Sequence, residues 1–95
     1  MMATAELQEI AGGDETLLAE LMRDLSEALR TSLELLREAT SDEDWALRAH
    51  RLKGGALTLG SPKLASLAAR AESEGRRSEL LLAEIEATFA REISR

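Results

Sequence analysis

The chain has 95 residues, enough for one domain (residues 1–95) around a single core, and its lack of cysteine excludes disulfides, thiolate zinc sites and cysteine nucleophiles. Its net charge of −6 argues against nucleic acid as a partner, because phosphate backbones select for concentrated lysine and arginine. No secretory signal and no membrane-spanning apolar run is visible, so we expect a cytoplasmic protein without a membrane anchor.

The residue alphabet favours helices. Aromatic residues make up only 2% of the chain and valine is absent, so a core must come mainly from leucine and alanine. These side chains suit helices, and a sheet would need more β-branched and aromatic residues. The first element in chain order is a short amphipathic stretch at residues 4–10, which predicts a short N-terminal helix that covers one end of the fold.

A long helix is predicted next, from an N-cap at Asp14 to about Thr40. Leucines recur through it at steps of three and four residues, which is typical of an amphipathic helix. They are Leu18, Leu21, Leu25, Leu29, Leu33 and Leu36.

The second long helix is predicted to begin after Ser41, which forms a capping-box pattern with Asp44. Its apolar stripe consists of Trp45, Ala49, Leu52, Ala56 and Leu59. This stripe keeps a helical period through Gly54 and Gly55, so we expect the helix to continue to the stop signal "GSP". In the alternative, the helix ends at the glycine pair and "ALTLG" is a strand or a loop.

The third and fourth long helices are shorter. One is expected over Pro62–Glu74, with Ser61 as its N-cap and an inner face of Leu64, Leu67, Ala68 and Ala71. Gly75 ends it, and Ser78 caps a last helix that buries Leu81 or Leu82, Ile85, Phe89 and Ile93. The predicted fold is all-α, an antiparallel four-helix bundle with a short extra N-terminal helix.

His50, the one histidine of the chain, is predicted to face outward, roughly 140° from the middle of the apolar stripe on a helical wheel. Lys53 and Gly54 share its surface, one turn further on. The neighbouring residues on this face are Ala46, Leu47 and Leu57. A face of small and apolar residues around a histidine indicates a docking surface. We expect this docking role to explain the cost of two helical glycines, about 2 kcal/mol, without any contribution from elsewhere in the chain.

The chemistry open to His50 is limited. A tetrahedral metal site at His50 is disfavoured, because the chain has no second histidine and no cysteine to complete the ligand set. A hydrolytic triad is also disfavoured, because no nucleophile turn precedes His50. One reading is an ordinary surface histidine; the other is a nucleophile, since an imidazole is mostly neutral at pH 7 and can attack phosphorus without a general base. In the second reading Lys53 offsets the charge of the transferred group, and Gly54 leaves room for a partner's active-site loop.

The segments "AHRLKGGALTLG" and "LASLAARAE" resemble the histidine-containing phosphotransfer (HPt) family pattern, Ala-His-x-Leu-Lys-Gly, a spacer, Leu-Gly, then Leu-x-x-Leu and Glu. By this resemblance, His50 corresponds to the phosphoacceptor and Lys53 to the lysine on the phosphate side. Gly54 corresponds to the small residue beside it, and Gly60 to the glycine that closes the helix. Glu72 matches the acidic position on the next helix.

The resemblance implies a phosphorelay intermediate that accepts a phosphoryl group on His50 from a receiver-domain aspartate and passes it to another receiver. Its partners would be response-regulator receiver domains and a hybrid histidine kinase, with the divalent metal in the receiver and no cofactor in this chain. No ATP-binding motif is present, so we expect no autonomous kinase activity, and we expect a monomer. Two alternatives stay open: a binding module that docks a receiver or another signalling protein without being phosphorylated, and a purely structural bundle, including a dimer.

Overall fold

Four α-helices follow one another along residues 14–93, the part of the chain that the computed structural model describes. They are α1 (Glu15–Arg37), α2 (Asp42–Leu59), α3 (Pro62–Glu74) and α4 (Glu79–Glu92). The short connections between them return the chain in the opposite direction each time, as in an antiparallel bundle. The all-α four-helix prediction is confirmed for these residues. The helix predicted at residues 4–10 lies outside the described residues.

Three of the predicted N-caps are confirmed by side-chain hydrogen bonds. The backbone N–H groups of Leu17, Asp44 and Leu81 donate to Asp14, Ser41 and Ser78 respectively, at 3.0, 3.1 and 3.1 Å. Each bond satisfies one of the N–H groups that the first turn of a helix leaves without a partner.

Ser61 differs from these caps. It precedes α3 in the N-cap position, but its side chain makes no capping hydrogen bond. Its hydroxyl donates instead to Glu92 Oε1 at 2.7 Å, which connects the α2–α3 turn to the end of α4. The prediction of a capping serine is therefore correct for its position and wrong for its hydrogen bond.

Helix α1 ends at Arg37, three residues before the predicted end at Thr40. Arg77, in the connection between α3 and α4, donates to the carbonyl oxygens of Arg37 at 2.7 Å and Ala39 at 3.2 Å. Its guanidinium also lies 5.7 Å from the ring centroid of Trp45. A distant arginine thus satisfies carbonyls at the helix end, and this termination has no signal in the local sequence.

The core lies where all four helices meet. Its largest fully buried side chains are Trp45, Leu29, Leu36, Leu52, Leu64, Ile85 and Thr88. The predicted inner face of α1 is fully buried only from Leu29 onward. The earlier leucines of this face, Leu18, Leu21 and Leu25, are partly buried. Gly55, near the end of α2, packs opposite Leu29, so the first turns of α1 lie past the end of α2.

Candidate functional site

Helix α2 runs without a break through its two glycines. It is α-helical from Asp42 to Leu59, and Gly60 ends it in the left-handed conformation at φ 77°. The continuous helix is confirmed, and the alternative in which "LKGG" ends the helix is wrong for this chain. The side chains of residues 46–57 are therefore presented on one rigid element.

The two glycines of α2 have different surroundings. A Cβ atom added to Gly55 would lie 2.9 Å from Leu29 Cδ1, so this glycine lets α1 and α2 approach closely. A Cβ atom added to Gly54 would meet nothing within 4 Å. Packing thus explains Gly55, a role the sequence reasoning missed, because the partner of Gly55 lies on another helix. It does not explain Gly54.

The imidazole of His50 is exposed and held by one hydrogen bond. Its side chain is 60% exposed, and Nδ1 lies 2.8 Å from Glu72 Oε2 on α3. An ionised carboxylate only accepts hydrogen bonds, so Nδ1 carries the proton in this contact. In the neutral ring, Nε2 then keeps its lone pair, and no residue within 14–93 forms a hydrogen bond to it.

Lys53 binds the other oxygen of the same carboxylate. Its Nζ donates to Glu72 Oε1 at 2.8 Å, and both side chains are about one-third exposed, at 30% and 32%. The hydrogen bond from Lys53 is the largest cause that lowers the pKa of Glu72, and the hydrogen bond and charge of His50 lower it further against the opposing effect of desolvation. The carboxylate thus stays ionised at neutral pH and bridges the two predicted site residues.

The packing of α2 on α3 positions this bridge. The indole Nε1 of Trp45 donates to the carbonyl oxygen of Ala71 at 3.1 Å, in the buried interface between the two helices. Glu72 follows Ala71 directly and lies at the outer edge of that interface, where His50 and Lys53 reach it. Sequence spacing alone could not give this geometry, although the family resemblance singles out the acidic position.

The four residues predicted to dock a partner differ in exposure. Leu47 is 49% exposed and Gly54 is exposed, whereas Ala46 and Leu57 are partly buried. Leu57 also packs against the core, so part of its surface serves stability. We call His50, Leu47 and Gly54, with the exposed parts of Ala46 and Leu57, the histidine face.

Two further features of residues 14–93 bear on the site. No group of three or more histidine, cysteine, aspartate or glutamate side chains in this range could hold a metal ion. Within the same range, no helix has the length and hydropathy needed to cross a membrane.

The family model described as Hpt domain matches residues 15–95, which includes all four helices and the whole histidine face. Neither the curated proteins nor the solved structures contain a match to the chain.

Proposed function

Since the chain belongs to the Hpt domain family, with a histidine phosphotransfer role in two-component signalling, we propose that His50 is its phosphoacceptor. In this proposal the chain is a phosphorelay intermediate. It receives a phosphoryl group from the phosphoaspartate of one receiver domain and donates it to the aspartate of another. Family members interact with receiver domains and kinases, and this agrees with both steps.

The observation that carries the proposal is the hydrogen bond between His50 Nδ1 and Glu72. By holding the proton on Nδ1, Glu72 leaves Nε2 as the nucleophile, so no base has to remove a proton before attack. Nε2 forms a bond to phosphorus while the bond from phosphorus to the aspartate oxygen breaks, and the electron pair leaves with the aspartate carboxylate. The ring then carries a positive charge, which the Glu72 carboxylate stabilises. Donation to a second receiver is the reverse step.

Lys53 has a charge-stabilising role in this proposal. It follows His50 by three residues on the same helix, so both side chains lie on neighbouring parts of one surface. A phosphoryl group brings negative oxygens to that surface, and a nearby ammonium group lowers the free energy of the state in which the charge is spread over them.

The histidine face supplies the contact with the receiver. The open space at Gly54 lets a receiver loop approach His50, and Leu47 offers apolar contact area beside it. The divalent metal and most of the catalytic groups would then belong to the receiver, and this chain would need no cofactor of its own.

Phosphoryl transfer from labelled receivers tests the proposal. The wild-type chain and His50→Gln are incubated with phosphorylated receivers, and acid-labile, alkali-stable phosphate is measured on each. We expect label on the wild-type chain only, with both chains binding the receiver equally. If the wild-type chain binds receivers but takes no label from any of them, it is a docking module and the carrier proposal is wrong.

A further inference from the structure

Arg51 occupies the open position of the family pattern. In Ala-His-x-Leu-Lys-Gly, the histidine and the leucine on either side are specified, and Arg51 is the residue at x. In the proposed function, His50 and Lys53 act in the transfer itself. Arg51 has no assigned part in that chemistry.

Arg51 also differs from the other basic residues of α2 in having no ion-pair partner among residues 14–93. Arg48 pairs with Asp44 at 2.9 Å, and Lys53 pairs with Glu72 at 2.8 Å. Arg51 is exposed and forms neither an ion pair nor a hydrogen bond within the described residues 14–93. Its helical neighbours at three and four residues in each direction include no carboxylate, being Leu47, Arg48, Gly54 and Gly55.

The surroundings of Arg51 leave its side chain accessible to a partner. Gly54 and Gly55, one turn ahead of it, carry no side chains to pack against it. Leu47, one turn behind, is half exposed and belongs to the histidine face. Arg51 therefore stands on α2 at the rim of the histidine face, and at such rims charged groups set partner choice and association rate.

The local charge is opposite to the charge of the whole chain. With a net charge of −6, the chain repels acidic surfaces at a distance. A receiver that presents a phosphoaspartate, and carboxylates that hold a divalent metal, has an acidic surface of this kind. Arg51, beside His50 and without an ion-pair partner in the described part of the chain, counters that repulsion where the two proteins meet.

We propose that Arg51 selects among receiver domains by binding a carboxylate at the rim of the receiver's docking surface. This inference rests on the proposed function, because it takes receivers as the partners. In this proposal Arg51 acts on docking and not on the phosphoryl group. Receivers with an acidic residue at the position that meets Arg51 therefore bind more tightly than receivers with a neutral or basic residue there.

Binding of unphosphorylated receivers, measured calorimetrically at low and high salt, tests the selection. Arg51→Glu is compared with Arg23→Glu, which makes the same charge change on an exposed residue of α1. For the preferred receiver, we expect Arg51→Glu to raise Kd by about tenfold at low salt and less at high salt, as for a rim charge. Arg23→Glu is expected to change Kd by less than about twofold. Replacing the matching receiver carboxylate by lysine is expected to restore binding to Arg51→Glu.

Two binding results would overturn the selection by Arg51: equal effects of the two charge reversals, and no binding of any receiver by the wild-type chain.

Transfer kinetics provide a second test. We expect Arg51→Glu to raise the receiver concentration that gives the half-maximal transfer rate more than it changes the maximal rate. A fall mainly in the maximal rate would place Arg51 at the phosphoryl group and contradict the inference. Because binding is measured without phosphate, a chain that binds receivers selectively but never takes the phosphoryl group refutes only the proposed function.

Discussion

His50 and Glu72 are 22 residues apart in the sequence and on different helices, yet Nδ1 of the imidazole lies 2.8 Å from Oε2 of the carboxylate. The same carboxylate binds Lys53 through its other oxygen. The packing of α3 on α2 therefore determines which nitrogen of the exposed ring carries the proton. In the proposed function, this contact prepares Nε2 for attack.

Replacing Glu72 by glutamine tests that contact. Glutamine keeps the size and one acceptor oxygen but loses the negative charge that stabilises the cationic ring. We expect phosphoryl transfer to His50 to slow by about tenfold, the lower end of the loss found when the carboxylate that orients a metal-binding histidine is removed. Nitrogen NMR of the ring should show a smaller fraction of the Nδ1-protonated tautomer. Glu74→Gln, which alters the exposed pair with Arg70, is the control and should leave both measurements unchanged.

The lowered pKa of Glu72 predicts how stability changes with pH. A carboxyl group with a lower pKa in the folded than in the unfolded chain stabilises the fold above its ordinary pKa of 4.5, and this contribution is lost as the pH falls below that value. The free energy of unfolding should therefore fall more steeply below pH 4.5 for the wild-type chain than for Glu72→Gln. Lys53→Met removes the largest cause of the lowered pKa of Glu72. The free energy of unfolding of this variant should therefore fall less steeply below pH 4.5 than that of the wild-type chain. Parallel slopes for the three proteins would contradict the role assigned to the bridge.

The adjacent glycines are expected to respond to alanine in opposite directions. Gly54→Ala should raise the free energy of unfolding by about 1 kcal/mol, because the added methyl meets open space and alanine favours the helix. Gly55→Ala should lower it by about 1 kcal/mol, because the methyl collides with buried Leu29 and overpacking exceeds the helix gain. Urea unfolding measures both.

Gly54→Ala should also slow phosphoryl transfer from a receiver, although the variant is more stable. Transfer at the wild-type rate would contradict the steric role assigned to Gly54. Equal stability changes in the two alanine variants would contradict the packing role assigned to Gly55.

Arg77 is expected to contribute to stability far from the site. It donates to the carbonyls of Arg37 and Ala39 and lies over Trp45. Arg77→Ala should lower the free energy of unfolding by about 1 to 2 kcal/mol through the loss of these contacts. Arg77→Lys should recover only part of it, because Nη1 of the arginine binds both carbonyls while its Nε pairs with Glu79, and a lysine offers a single nitrogen for all three acceptors. If Arg77→Lys recovered the whole loss in the free energy of unfolding, positive charge alone would account for the contribution of Arg77.

Local signals made much of the fold predictable. The capping side chains of Asp14, Ser41 and Ser78 mark helix starts, and Gly60 and Gly75 mark ends, because caps and left-handed residues act within one turn. The apolar period likewise favoured a continuous α2 over a break at the glycine pair. These features depend on residues close together in the chain.

Contacts between residues far apart in the chain were not predictable from the helical spacing of the apolar residues. Arg77 binds the Arg37 carbonyl at the end of α1, Gly55 packs opposite Leu29, and Ser61 donates to Glu92. Each of these partners is far away in the chain. At the site, the helical wheel placed His50 on the outer face of α2, but the shared carboxylate depends on how α3 packs against it. Family resemblance pointed to Glu72, and only the fold relates its two oxygens to the two side chains.

The most direct test of the account is to locate the phosphorus on the imidazole. Because His50 is the one histidine of the chain, labelling histidine with ¹⁵N and phosphorylating the protein with an unlabelled receiver gives an unambiguous ³¹P–¹⁵N coupling. We predict coupling to Nε2 with Nδ1 still protonated, and no such signal in His50→Gln. Phosphorus on Nδ1, or on neither ring nitrogen, would contradict it.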